Sequence, residues 1–391
     1  MQTPAPPTAT VLDAAFAQDP YPVLRELRER GPVHPVLLPP GLPAWLVVSY
    51  PEARAALADP RLAMRPPEPA GAPPHPLNLD PPDHTRLRHL LAPAFTRDAL
   101  AALRPRLEAL ADALLAELLA GGETEVDLMT TFAQRFPTAA LYELLGLPDA
   151  GHEAVGALVG VSTAPDATAA ERAAADAALL EHAAGLVATA EPAPDGLLAR
   201  LLAAGDGLTA AELVATVQLL LVVGDETIVH VLGNGLLALL ERPAALAALR
   251  ADPAGLPAAI EEMLRFDGPV HAATPRWATE PVALGPTVVP AGDAVVVSLT
   301  GAARDPARYP EPDEFRPGRD NRGGVGFGRG PHFCVGAGLA RLELEVAFAA
   351  LLRRTAAIRL AVPAGALRRR PVPMLRALES LPVVLVPRDA A

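Results

Sequence analysis

The feature of this sequence that most restricts its fold is a long stretch, residues 84–265, that has the periodicity of helices almost throughout. Within it, the run from Thr209 to about Leu240 predicts one long apolar helix. Asp225, Glu226 and His230 lie inside that run. Polar groups of this kind make a poor membrane span but are tolerated in a buried helix of a large core.

Two shorter regions, about 31–65 and 269–300, have the alternation, β-branched residues and turn signals of strands. Helical patterns fill about 84–265 and 337–354. The predicted fold class is therefore mainly α with a small antiparallel β region. We expect a single domain over 1–391, long enough to bury a cofactor.

Charge and cysteine content exclude several classes of protein. The net charge of −12 argues against bulk nucleic-acid binding, which needs a positive face. One cysteine excludes an intrachain disulfide. The first twenty residues have neither a basic region nor a continuous apolar run, so they predict no signal peptide and no membrane anchor. We expect a cytoplasmic monomer that binds neither nucleic acid nor membrane.

The single cysteine, Cys334, lies among glycines in the segment FGRGPHFCVG, residues 327–336. A lone cysteine is ordinarily an inert, small hydrophobic residue. Here Gly328, Gly330 and Gly336 permit positive φ and close backbone approach, so that N–H groups can point at the sulfur. A helix predicted just after the cysteine favours the thiolate through its dipole. With no second cysteine for zinc or iron–sulfur chemistry, the pattern indicates a metal-bound thiolate.

The same segment resembles the haem-binding loop of the cytochrome P450 family, and the similarity continues through Ala340 and Arg341. The resemblance implies the cytochrome P450 fold, with haem b buried between the long central helix and the helix after the cysteine loop. It implies that Cys334 is the axial ligand of the iron. It also places four residues of the loop around the haem: Phe327, Gly328, His332 and Gly336.

Glu262 and Arg265 stand three residues apart on one predicted helix. An isolated pair of this kind is usually solvated and contributes little to stability. The resemblance implies instead a buried structural lock that holds the coil before the haem loop.

The polar turn of the long helix contains Gly224, Glu226 and Thr227. Its ordinary interpretation is a core helix with one tolerated polar turn, but consecutive polar groups in a dry core would lack partners. Gly224 would let the helix pass close to a flat cofactor. Glu226 and Thr227 resemble the family's acid–alcohol pair, which implies that Thr227 hydrogen-bonds to dioxygen and that Glu226 relays protons.

This turn departs from the commonest family pattern. Val223 and Ile228 replace the usual alanine and a second threonine, and Val223 is expected to narrow the distal pocket. Asp225 is unusual beside Glu226, and two adjacent acids are expected to raise each other's pKa.

Basic residues that match the family's haem-propionate donors are His84, Arg88, Arg276 and His332. His84 and Arg88 lie four apart, on one face of a predicted helix. Taken alone they indicate the start of a surface helix. Arginine suits a carboxylate through its bidentate geometry.

The implied function is hydroxylation of a small hydrophobic molecule in secondary metabolism, with electrons from NAD(P)H delivered by a ferredoxin reductase and a ferredoxin. The ferredoxin is expected to dock near Cys334, and four arginines are candidates for a basic patch there: Arg86, Arg322, Arg329 and Arg341. Each is as readily an ordinary surface arginine.

Substrate contacts are expected from Val223 and from several apolar segments, namely 65–79, 155–170, 270–273 and 372–375. His271 is either a structural histidine or an anchor for substrate. Two other functions stay open. One is an atypical oxidation such as epoxidation, desaturation, ring coupling or peroxygenation. The other is a non-catalytic binding protein that has kept the fold.

Overall fold

The structure, a computed structural model, describes residues 10–11, 13–38, 41–67, 74–147, 152–164, 167–372 and 374–388. Helices dominate it, as predicted. The α-helices are α1 (Ala14–Gln18), α2 (Tyr21–Arg30), α3 (Tyr50–Ala58), α4 (Asp83–Leu91), α5 (Arg97–Leu119), α6 (Arg135–Leu145), α7 (His152–Ser162), α8 (Ala169–Thr189), α9 (Leu197–Leu202), α10 (Ala210–Leu240), α11 (Pro243–Ala251), α12 (Leu256–Asp267), α13 (Leu299–Ala303) and α14 (Ala337–Arg354).

The strands are β1 (Thr10–Val11), β2 (Val33–Leu38), β3 (Leu42–Val47), β4 (Leu62–Ala63), β5 (Thr124–Asp127), β6 (Arg276–Ala278), β7 (Val282–Leu284), β8 (Thr287–Val289), β9 (Ala294–Val297), β10 (Thr355–Leu360), β11 (Arg369–Arg370), β12 (Ala377–Leu378) and β13 (Pro382–Pro387).

The two predicted β-rich regions meet in one six-stranded sheet of order β1-β2-β3-β9-β6-β4. Three of its five strand pairings are antiparallel, as predicted for the β region. The other two, β1 with β2 and β3 with β9, are parallel. Strand β9 lies in the second β-rich region, and a long intervening chain allows a parallel approach that a hairpin does not. The smaller sheets are antiparallel.

The long apolar helix is confirmed as α10, with Thr209 at its N-cap. The Thr209 hydroxyl accepts the backbone N–H of Glu212, while the Glu212 carboxylate accepts the backbone N–H of Thr209. At 31 residues, the helix is about 46 Å long. It is apolar and long enough to cross a membrane, but 61% of its most apolar window is buried inside the protein. It is the central helix of the core.

Close helix packing places α10 beside α12 and α14. A Cβ atom on Gly235 would lie 2.7 Å from Sδ of Met263 and 3.2 Å from Cζ of Phe348. Only glycine allows this approach, and the three helices form one continuous apolar core. The coil from Arg304 to Gly336 connects α13 to α14 and carries the cysteine.

Candidate active site

The cysteine loop ends where α14 begins, and its shape depends on glycine. Gly328 and Gly330 have φ of +72° and +75°. A Cβ atom on Gly330 would lie 2.8 Å from the carbonyl oxygen of Leu57. The backbone N–H of Cys334 donates to the carbonyl of Phe327 at 2.9 Å, which closes the loop. The thiol is thus held at the N-terminal side of α14, as the sequence predicts.

The sulfur of Cys334 is accessible on one side while protein surrounds it on the others. Burial raises the pKa of the thiol. The backbone N–H of Gly336 and the charges of Arg88 and Arg341 act in the opposite direction but do not outweigh it. The loop supplies donors for a thiolate, yet a bound cation is needed to hold the sulfur ionised near neutral pH, as for a metal ligand.

Four basic side chains form what we call the basic cluster: His84, Arg88, Arg276 and His332. The rings of His84 and His332 lie 4.0 Å apart between centroids. Neither ring nitrogen of the buried His84 has a hydrogen-bond partner among the described residues, and the Nε of Arg276 has none either. Nη1 of Arg276 donates to the carbonyl of Leu57 at 2.8 Å. The guanidinium of Arg88 hydrogen-bonds to none of the residues described.

Burial and mutual repulsion both act on this cluster. Burial lowers the pKa of Arg276 to about 10. Burial, and then the charges of His84 and Arg276, lower the pKa of His332 to about 4. Burial also lowers the pKa of His84, and Arg88 adds to the effect. Unpartnered buried donors are costly, so two carboxylates placed here would satisfy them. The residues present therefore fit the propionates of a haem.

The Glu262–Arg265 pair is buried and bidentate, with N–O distances of 2.7 and 2.8 Å. Its side chains are 0% and 3% exposed, so the alternative of a solvated surface pair is wrong. Arg265 also donates to the carbonyls of Ala303, Pro312 and Glu314. The pair thus fastens the coil that precedes the cysteine loop to α12, as a structural lock would.

Val223 and Thr227 lie one turn apart on the open face of α10. Val223 is 39% exposed in a helix that is otherwise mostly buried. The hydroxyl of Thr227 donates to the carbonyl of Val223 at 3.1 Å, a bond typical of threonine in helices. Gly224 packs closely against α6, since a Cβ atom there would lie 3.4 Å from Cδ1 of Leu141; its approach to a flat cofactor stays a prediction.

Glu226 is buried, and the structure gives it an ion-pair network that the sequence did not predict. Its Oε1 accepts from Nε2 of His230 at 3.0 Å, Oγ1 of Thr163 at 3.1 Å and Nη1 of Arg370 at 3.4 Å. Burial raises the pKa of Glu226, but the bond and charge of His230 and the charge of Arg370 outweigh it, so the pKa lies below its ordinary value. The expectation that the adjacent acids raise each other's pKa is wrong for this one.

Asp225 points away from that network into the core. Its Oδ1 lies 2.5 Å from Oγ1 of Thr138. Burial, and to a smaller extent the charge of Glu226, raises the pKa of Asp225 to about 7. For Asp225 the expected direction of the shift is therefore confirmed. Burial and Asp225 together raise the pKa of Glu343, in α14, well above its ordinary value.

His271 has the surroundings of a structural histidine, and its role as a substrate anchor stays a prediction. It is 4% exposed, its Nδ1 lies 2.7 Å from the hydroxyl of Thr300, and its ring packs on Phe16. Burial lowers its pKa to about 3. Parts of three segments predicted to contact substrate lie outside the described residues: 68–73, 165–166 and 373.

The arginines predicted to form a docking patch differ in their partners. Arg86 is bonded to Glu212, Arg322 to Asp320, and Arg341 to Glu261. Arg329 is exposed and has no ion pair with a described residue. Of these four arginines, only Arg329 has a charge that no described acid pairs with, so only its charge is available to a docking partner.

Sequence reasoning missed Thr163, His230 and Arg370 as partners of Glu226. His230 follows Glu226 by four residues, a helical spacing that could have indicated the contact. Thr163 and Arg370 lie far from Glu226 in the chain, and no local pattern connects them.

Comparison with known proteins agrees with this geometry. The family model for cytochrome P450 matches residues 255–356. The cytochrome P450 monooxygenase PikC of Streptomyces venezuelae is 42% identical over 399 residues, which cover 97% of this chain and 95% of PikC. Cytochrome P450 107B1 of Saccharopolyspora erythraea is 42% identical over 408 residues, covering 98% and 99% of the two chains.

Solved structures resemble the whole chain as well. The tirandamycin C-bound P450 monooxygenase TamI has a TM-score of 0.87 and 39% identity, with 96% of this chain and 99% of that chain covered. CYP154C4 from Streptomyces sp. W2061 has a TM-score of 0.89 and 32% identity, with 97% and 98% covered.

Proposed function

The chain belongs to the cytochrome P450 family, and on that premise we propose that the cysteine loop, the basic cluster and the open face of α10 form one haem b site with Cys334 as axial ligand. The protein is a cytochrome P450 monooxygenase. The observation that carries the assignment of residues is the set of unpartnered buried donors on His84 and Arg276. Such donors need an acceptor, and the buried charge of Arg276 favours an anionic one.

When bound, the haem activates dioxygen with two external electrons, so that one oxygen atom enters the substrate and the other leaves as water. The basic cluster binds the propionates and fixes the orientation of the ring. Val223 limits the space on the open face of α10 and makes it apolar, which favours a hydrophobic substrate.

Two protons are consumed in this reaction, and in this proposal Glu226 and Thr227 move them. The lowered pKa of Glu226 keeps its carboxylate ionised near neutral pH, so it accepts a proton from water and passes it on. The Thr227 hydroxyl donates to the carbonyl of Val223 in this structure, and its proposed role is to pass a proton on from Glu226. The electrons come from NAD(P)H through a ferredoxin reductase and a ferredoxin, and the protein works as a cytoplasmic monomer.

The assignment is tested with the ferrous carbonyl spectrum and the haem content of purified protein. Wild type should give the spectrum of thiolate-ligated haem, and Cys334→Ser should lose it. His84→Ala and Arg276→Ala should retain less haem after desalting, whereas Arg322→Ala, a surface change, should not. A colourless protein after haem supplementation, or the spectrum of imidazole ligation, would contradict the proposal.

Substrate class is tested by screening ligands for displacement of the distal water, read from the haem spectrum. Hydrophobic molecules should bind, and Thr227→Ala should consume NAD(P)H while forming less product. Unchanged coupling in Thr227→Ala would remove that residue from the proton relay.

Epoxidation is a second candidate, favoured by a relative named mycinamicin IV hydroxylase/epoxidase, from Micromonospora griseorubida, which is 36% identical over 374 residues. Of the three departures from the family pattern, Asp225 and Ile228 are buried and only Val223 is exposed. Val223→Ala should therefore change the ratio of hydroxylated to epoxidised product, if an alkene substrate is bound. An unchanged ratio would remove Val223 from the control of this choice.

A further inference from the structure

The protein binds the carboxylate of Glu226 through only one of its two oxygens, Oε1, among the described contacts. Donors from His230 in α10, Thr163 after α7 and Arg370 in β11 converge on Oε1, at 3.0, 3.1 and 3.4 Å. None of the described residues donates to Oε2. The two oxygens therefore have different environments: the first is anchored, and the second is free of protein donors in this part of the chain.

His230 makes the shortest of these bonds, and it is the most deeply buried donor. It is 2% exposed, and its Nδ1 has no partner among the described residues. It lies one turn after Glu226 on the same helix, so its bond does not depend on how other elements pack. Arg370, in contrast, is 20% exposed and divides its guanidinium among Glu226, Gly160 and Thr163. His230 is thus the fixed donor.

We infer that His230 is a positioning residue for the proton relay: it fixes Oε1 of Glu226 and so reserves Oε2 for proton exchange with water and with Thr227. This inference rests on the function proposed for Glu226 and Thr227. A carboxylate without this anchor can rotate about its last torsion, which is broad and roughly two-fold. The oxygen presented to water would then no longer be defined.

The charged groups around the pair set the expected pH dependence. Arg370 is the cation that acts on Glu226 besides His230, and Asp225 is the neighbouring acid. Loss of the His230 donor removes a bond to the anionic form, so the pKa of Glu226 must rise. The protonated acid then persists to higher pH, and the acid limb of the coupling profile moves in the same direction.

The test compares His230→Leu, which removes the donor, with His230→Gln, which keeps an N–H at this reach. The first readout is the infrared band of the protonated Glu226 carboxyl in haem-free protein, assigned by its absence in Glu226→Gln. The second is the product formed per NAD(P)H consumed, as a function of pH. In His230→Leu the protonated band should persist to higher pH, and coupling should fall about tenfold, as for one lost bond to a charged group. His230→Gln should restore most of the coupling.

If His230→Leu shows the same infrared titration and the same coupling as the wild type, the inference is wrong. If His230→Leu does not fold, as judged by thermal melting, His230→Phe fills the ring volume without a donor and gives the same comparison. The proposed function fails separately: unchanged coupling in Glu226→Gln and Thr227→Ala would remove the relay itself. If those two variants uncouple and the donor-free His230 variant does not, only the role of His230 is wrong.

Discussion

The carboxyl groups of Asp225 and Glu343 interact across the interface between α10 and α14, and each residue is only 1% exposed. None of the basic side chains described pairs with either. The hydroxyl of Thr138 contacts Oδ1 of Asp225 at 2.5 Å and the carbonyl of Gln134 at 2.7 Å. A hydroxyl has one hydrogen and a carbonyl can only accept. If that hydrogen is given to Gln134, Asp225 must itself be protonated and donate to Thr138.

A protonated Asp225 makes stability depend on pH. The pKa of Asp225 is raised to about 7 in the folded protein, whereas in an unfolded chain it is about 3.9. Between these values the folded state keeps the proton and the unfolded state releases it, so the free energy of unfolding falls as pH rises. The loss is complete above pH 7 and is on the order of 4 kcal/mol.

Asp225→Asn should remove this loss, because the amide donates to Thr138 as the protonated acid does. We expect the variant to gain stability over wild type as pH rises from about 4 to about 7, measured by urea unfolding at a series of pH values. Glu181→Gln, an exposed change on α8, serves as control and should show no such trend. If the free energies of unfolding of Asp225→Asn and wild type differ by the same amount at every pH, Asp225 is ionised in the folded protein.

Asp267 is the opposite case, a buried acid surrounded by cations at the end of α12. It accepts from Tyr21 at 2.6 Å, Arg376 at 3.1 Å and Arg369. Burial raises its pKa, but the charges of Arg369 and Arg376 outweigh this, so the pKa lies below its ordinary value. Its contribution to stability is present above about pH 4 and is lost as pH falls toward the folded pKa.

Asp267→Asn leaves these arginines without their anion and should destabilise the protein by about 3–5 kcal/mol, measured by urea unfolding at neutral pH. The control is Asp320→Asn, which breaks an exposed pair with Arg322, whose side chain is 92% exposed. It should change the urea concentration at the unfolding midpoint little. Equal effects of the two substitutions would show that the Asp267 cluster adds no more than a surface pair.

Gly330 gives a test of the cysteine loop that leaves its chemistry untouched. Its φ of +75° and the 2.8 Å approach to the carbonyl of Leu57 exclude a side chain. Gly330→Ala should cost about 2 kcal/mol or more and lower haem content. Gly185→Ala, inside α8 with no atom within 4 Å of the added methyl, should stabilise by about 0.5–1 kcal/mol. A neutral Gly330→Ala would mean that the loop is free to rearrange.

Local patterns predicted the parts of this molecule that local chemistry determines. The start of α10 at Thr209 and the helix after Cys334 depend on residues close together in sequence. The burial of the Glu262–Arg265 pair, in contrast, was implied only by the family resemblance. The parallel pairing of β3 with β9 was not predicted, because it is decided by packing across a long stretch of chain.

The pKa of Glu226 was predicted in the wrong direction for a related reason. The adjacent Asp225 is visible in the sequence, but the donors that dominate come partly from remote elements, through Thr163 and Arg370. Adjacent residues on a helix point about 100° apart, so Asp225 faces the core while Glu226 faces its cations. Side-chain direction, which sequence alone did not resolve, decided the outcome.

Arg329 is the expected contact for a ferredoxin, because the other arginines of the predicted patch are already bonded to acids. Arg329→Gln should slow reduction of the haem by ferredoxin about threefold to tenfold at low ionic strength, with the difference shrinking as salt rises. Arg322→Gln removes the same charge from the same coil, but from a side chain that is bonded to Asp320. It therefore controls for the long-range electrostatic attraction of ferredoxin to this face. Stopped-flow reduction at several salt concentrations measures both variants. Equal slowing would mean that ferredoxin senses only the net charge of this face and makes no direct contact with Arg329.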